Sequence, residues 1–172
     1  MSLKAREVLA DASVALEDFE ASATTPYWRT RWVALITILR AVGHILDKVD
    51  GESDGCLRVA IDTEFAKLKS TRPEPKIYWQ FIDAERNTVL KEMLLGAHLN
   101  ITVRPGAAWW NATTDESGGD PGGPTTYDHF MRGGSYDGRD PRELSREAIQ
   151  FWQCYLDEVE RRAADSLGQD AV

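Results

Sequence analysis

Between Thr25 and Asp50 the chain reads TPYWRTRWVALITILRAVGHILDKVD. Trp32, Val33, Leu35, Ile36, Ile38, Leu39, Val42, Ile45, Leu46 and Val49 cover most of a helical cylinder rather than one stripe of it. A helix apolar nearly all round either lies at the centre of a protein or spans a membrane. Arg40 and His44 interrupt this one, and its unbroken apolar length falls short of a bilayer crossing. The stretch therefore predicts the core helix of a small bundle. Thr25 suits the N-cap and Pro26 the first helical position. Thr37, Arg40, His44 and Asp47 recur at spacings of three, four and three, which places them on one polar ridge of the rod.

The other segments supply surfaces for that helix to pack against. Residues 3–21 predict an amphipathic helix with Leu9, Leu16 and, beside them, Val8, Ala12 and Phe19 inward. Residues 50–55, with Gly51 and Gly55, predict the end of the central helix and an exposed turn. A third helix over 56–69 offers Leu57, Ala60, Ile61, Phe65 and Leu68, and the two prolines of 70–75 break it. A fourth, over about 76–95, places Ile77, Phe81, Ala84, Thr88 and Met93 or Leu94 on one face. Residues 100–104 (NITVR) predict a short strand from their β-branched alternation. From 105 to 140 glycine and proline recur, an irregular insertion with Trp109-Trp110 and 127–131 as anchors on the bundle. Asp140-Pro141-Arg142-Glu143 then announces the last helix: an acidic N-cap, proline in the first turn, and glutamate at the capping-box position. It carries Leu144, Ala148, Phe151, Trp152, Tyr155, Leu156 and Val159 inward and stops at Gly168. The fold class is all-α: a four- or five-helix bundle, one domain over 1–172, with the insertion at 105–140 before the last helix.

Composition narrows the function classes. A formal charge of −8 and a pI near 4.9 argue against general DNA binding, which needs a basic surface. Cys56 and Cys154 match no metal or redox spacing and read as reduced thiols, and the start of the chain lacks an apolar signal region, so a cytoplasmic protein without a membrane association is expected. There is no HExxH and no Glu-x-x-His pair, and His44 with Asp47 is two ligands where a metal needs more. The glycines of 105–140 form neither GxGxxG nor GxxxxGK[ST]. No metal and no cofactor are expected.

The fourth helix carries Phe81-Ile-Asp-Ala-Glu85-Arg86-Asn87-Thr-Val-Leu-Lys91-Glu92. Here the chain resembles the HEPN superfamily, small helical bundles many of which are metal-independent ribonucleases or toxins. Their mark is an arginine, usually followed by a polar residue, with a histidine a few positions on. Arg86-Asn87 is similar to the first half of that mark, and Glu92 to its frequent acidic follower. Lys91 stands where many members carry the histidine. In the active members that histidine acts on the ribose 2′-hydroxyl while the arginine steadies the phosphate.

A histidine suits proton transfer because its pKa lies near ~6.5, whereas lysine lies near ~10.4 and keeps its proton. His98, twelve residues past Arg86, lies ~18 Å further along a continuous helix. His44 becomes a candidate if the central helix sets Arg40, His44 and Asp47 against Arg86, Asn87 and Lys91. The resemblance thus implies a homodimer in which the motif helices meet, in a toxin–antitoxin or defence setting. Arg86, Lys91 and His44 are the candidate catalytic residues; Arg40, Asp47, Asn87 and Glu92 are the candidate binding residues. Without the histidine, the first expectation is a non-catalytic bundle that binds a protein or a nucleotide- or RNA-like partner. The alternatives are a metal-independent ribonuclease using Arg86 with His44 or Lys91, and an interaction domain without a site. The same polar residues also suit a solvated helix face, with Arg40 paired to Asp83, Glu85 or Glu92.

Overall fold

The structure, a computed structural model, describes residues 3–22, 27–102, 108–111, 116–119 and 126–169. For 101–102, 108–111, 116–119, 126 and 167–169 only the backbone is described. Five helices make an all-α bundle: α1 Lys4–Ala21, α2 Trp28–Ile45, α3 Gly55–Ser70, α4 Ala84–Glu92 and α5 Pro141–Gln169. Short antiparallel strands precede the last helix. Among the described residues no helix is long and apolar enough to cross a membrane. The expected caps Thr25 and Pro26 lie outside the described residues.

The core forms where the stripes of the helices meet. Trp32, Leu35, Ile36, Leu39 and Val42 of α2 are fully enclosed, with the ring of Phe19 of α1 tilted against Trp32 at 5.3 Å between centroids. α5 presents Leu144, Ala148, Trp152, Leu156 and Val159 at i, i+4 and i+3 spacing, all buried. Each large side chain so enclosed stabilises the fold by roughly 1.5–3 kcal/mol against exposure. α2 approaches α5 so closely at Gly43 that a β-carbon there would lie 2.6 Å from Trp152 Cη2. Glycine is required at that contact.

Several expectations are corrected. The central helix does not stop at Gly51: it continues as a π turn, Leu46–Asp50, and a helical turn, Gly51–Ser53, and breaks at Asp54, which is extended. Asp50 is not exposed either. Its buried carboxylate accepts the backbone N–H of Lys4 at 2.8 Å and of Ala5 at 2.9 Å, so the end of one helix caps the start of another. Val49 points to solvent, so the rod is less greasy all round than its letters suggest. On α3 Phe65 is exposed and Glu64 is buried in its place, because Arg162 of α5 reaches Glu64 at 2.6 Å. A paired carboxylate took the inward position over an aromatic ring.

The fourth helix is shifted in phase. It opens as a π segment, Ile77–Asp83, whose i→i+5 bonding rotates the side chains relative to an α-helix. Tyr78, Phe81, Ile82, Glu85 and Val89 face inward, while Ala84, Met93 and Leu94 are exposed. It ends at Glu92, before Gly96, with Met93 left-handed at φ 54°.

The insertion holds more backbone order than glycine and proline suggest. β1, Ala97–Thr102, pairs antiparallel with β4, Thr126–Met131, in a register that sets Ala97 opposite Met131. The strand expected at 100–104 begins three residues earlier, and 103–104 lie outside the described residues. β2, Ala108–Asn111, and β3, Glu116–Gly119, form a second pair. The docking expected of the Trp109 and Trp110 side chains lies outside what is described. The anchor at 127–131 is present: His129 and Met131 alternate inward, and the His129 ring meets Phe19 at 5.4 Å and Trp28 at 5.7 Å. Asp140 caps α5 as expected, accepting from Arg142 N at 2.8 Å. The Glu143 carboxylate is 3.8 Å from the Arg139 guanidinium, and the helix runs through Gly168 to Gln169.

Candidate functional site

The polar ridge of α2 survives folding and divides between two neighbours. Thr37 turns its hydroxyl back to the carbonyl of Val33, as threonine in a helix commonly does. Arg40 Nε donates to Asp83 Oδ1 at 3.1 Å across to the π segment, so Asp83 is its counter-ion. The other Asp83 oxygen accepts from Asn87 Nδ2 at 3.4 Å, and Arg86 Nη1 donates to Asn87 Oδ1 at 3.0 Å. Arg40, Asp83, Asn87 and Arg86 thus form one hydrogen-bonded chain from the core helix to the motif helix.

The second neighbour is α3. Arg40, His44 and Asp47 line a cavity of about 130 Å³ with Arg58, Tyr78 and Tyr155. Asp47 pairs with Lys48 at 3.0 Å and Arg58 at 2.9 Å, and these two cations hold its carboxyl below the ordinary range. Burial pushes the phenols of Tyr78 and Tyr155 up, so both face the cavity as neutral hydroxyls. His44 is exposed at its edge, and its ring makes no hydrogen bond with any of the described residues. The cavity can hold a small polar group, but it contains no base fixed against a nucleophile.

The candidate residues therefore fall into two groups joined by Arg40. Arg86 and Asn87 belong to the network on Asp83, and His44 and Asp47 to the cavity. Lys91 and Glu92 belong to neither: both are exposed on the last turn of α4 and, among the described residues, have no ion-pair or side-chain hydrogen-bond partner. Among the described residues no three His, Cys, Asp or Glu side chains converge as metal ligands would.

Two features escaped the sequence. Glu85, read as a polar position, is buried, accepting from Trp32 Nε1 at 3.0 Å and from the backbone N–H of Gly96 at 2.7 Å. Burial pushes its carboxyl up, against the pull of those hydrogen bonds. It ties the start of β1 to α2, and a β-carbon on Gly96 would collide with it and with Met131. In the structure it continues the buried face of Tyr78, Ile82 and Val89, at spacings of four, three and four. The second feature is an open cleft of about 750 Å³ between α4, the β1–β4 pair and the start of α2, walled by Trp28, Arg29, Met93, Leu94, His98 and Arg132 among others.

No protein-family model matches the chain, and neither a curated protein nor a solved structure shows significant similarity to it.

Proposed function

We propose that the chain is a non-catalytic, HEPN-like bundle that acts by binding other proteins, beginning with a second copy of itself. The observation that carries this reading is the division of labour along α4. Its motif side chains, Arg86 and Asn87, are spent on an internal network with Asp83 and Arg40. Its C-terminal end instead gives solvent three large apolar groups: Leu90 is 46% exposed, Met93 69% and Leu94 58%. Single exposed apolar residues need no explanation, but neighbours at one helix end mark an interaction surface. Met93 also holds a left-handed backbone that non-glycine residues rarely adopt, the kind of local strain that gathers at functional positions.

The test has two arms. Incubated with a mixed RNA pool in chelator, wild type, Arg86→Ala and Lys91→Ala give the same intact RNA; cleavage that disappears in either variant overturns the non-catalytic reading. Light scattering gives the mass of two chains for wild type and of one for Leu90→Asp, whose carboxylate at the contact has no partner. A wild-type mass of one chain removes the dimer.

A further inference from the structure

We propose that the cleft between α4, β1–β4 and the start of α2 is a docking site for an acidic peptide segment carrying bulky apolar side chains. The inference rests on the protein-binding reading above and names a second partner: Met93 and Leu94 of that exposed helix end also wall this cleft, whereas Leu90 lies outside its lining. Among the described residues every other arginine is held by an ion pair, a hydrogen bond or an aromatic ring. Arg29 and Arg132 are not, and both line this cleft. In a chain of net charge −8, two unengaged guanidiniums on one concavity are a local inversion of the surface charge. The fields of distant carboxylates are screened over about 10 Å at ordinary salt, so an acidic ligand inside the cleft meets chiefly these two groups.

The cleft's own carboxyl does not cancel them. Glu85 is buried and turned toward Trp32 and Gly96, away from the rim. Beside the arginines the lining carries apolar groups, Met93, Leu94, Met131 and the ring of Trp28. Methionine side chains adapt to varied apolar partners, and Trp28 supplies a rigid face. The cleft favours a chain over a small molecule, because small ligands need enclosure over most of their surface and this cleft is broadly open to solvent. An extended segment whose alternate side chains are acidic and apolar can set carboxylates on the arginines and hydrocarbon on the apolar lining.

The experiment uses the full chain and short fluorescein-labelled peptides that alternate Asp or Glu with Leu, Phe or Met. Controls carry Lys in place of the acids, and a labelled oligouridylate serves as the nucleic-acid arm. Fluorescence polarisation is expected to show saturable binding of the acidic peptides, weakened by added salt and reduced at least about tenfold by Arg29→Glu/Arg132→Glu. Circular dichroism and the urea midpoint of that variant match wild type, since both side chains are exposed and unpaired. Absence of binding, equal binding of the lysine peptides, preferential binding of the oligouridylate, or an unchanged affinity in the double variant each overturns the inference. Leu90→Asp leaves peptide affinity unchanged. A two-chain mass without peptide binding therefore overturns the cleft alone, whereas peptide binding with a one-chain mass overturns the dimer alone.

Discussion

Replacing Glu85 by alanine removes the acceptor that joins α2 to the start of β1. The loss falls on two donors: the indole N–H of Trp32, a fully buried residue, and the backbone N–H of Gly96. An unsatisfied buried donor costs about 1–3 kcal/mol, and the Gly96 N–H is only half-buried, so the pair costs about 2–4 kcal/mol. Deleting the side chain also leaves a small void, about 1 kcal/mol. Against this, the native protein is relieved of a carboxyl whose ionised form burial disfavours. The net expectation is a destabilisation of about 3 kcal/mol. For a chain of this size that lowers Tm by about 6–12 °C. Urea unfolding followed by circular dichroism and by tryptophan emission measures it.

Glu85→Gln separates hydrogen bonding from charge. It keeps a carbonyl oxygen for these donors and should cost about 1 kcal/mol. The native state holds the Glu85 proton more tightly than the unfolded chain does, because burial raises its folded pKa. That contribution to stability is complete below the ordinary glutamate range and is lost as pH rises through the raised value. Wild type therefore loses stability relative to Glu85→Gln as pH climbs through that window. A Glu85→Ala cost below about 1 kcal/mol, or the same pH slope in wild type and Glu85→Gln, refutes the role assigned to this carboxyl.

Asp50→Ala should destabilise by about 2 kcal/mol in urea titrations, because it strips the first turn of α1 of a charged acceptor, and Asp50→Asn should recover part of this. Gly43→Ala should lose about 1–2 kcal/mol despite alanine's better helix propensity, since its β-carbon runs into the enclosed ring of Trp152; a gain in Tm would show that the two helices separate freely. Burial, with Arg142 nearby, lowers the pKa of His129 against the opposing pull of Asp140 and Asp128. Its contribution is present above the ordinary histidine range and is lost as pH falls through the lowered value, so His129→Phe should flatten the acid-side fall in stability measured by urea unfolding.

Much of the candidate site was visible as residue types and little of it as partners. The spacing of Arg40, His44 and Asp47 placed all three on one ridge, expected to face Arg86, Asn87 and Lys91, but the cavity they line was not foreseen; Asp83 was among the carboxylates expected to pair with Arg40. Arg58, Tyr78 and Tyr155 were not visible there, because they reach the cavity from other elements. Lys91 and Glu92 looked like motif positions yet fall on an exposed helix end. The cleft of Arg29 and Arg132 was invisible: more than a hundred positions separate the two, and the packing of His129 of β4 against Trp28 at the start of α2 brings their elements together.

Periodicity alone determined the helices, since a stripe of Leu144, Ala148, Trp152, Leu156 and Val159 is buried wherever a second apolar face exists to receive it. What it left open was phase and company. A π turn rotates every following side chain without leaving a mark in the hydrophobic pattern, so Glu85 rather than Ala84 turned inward. Whether a carboxylate such as Asp50, Glu64 or Glu85 is a surface group or a buried acceptor depends on which donors the packing places beside it. Hydrogen bonds are made at about 3 Å, and only the tertiary structure decides which distant residues come that close.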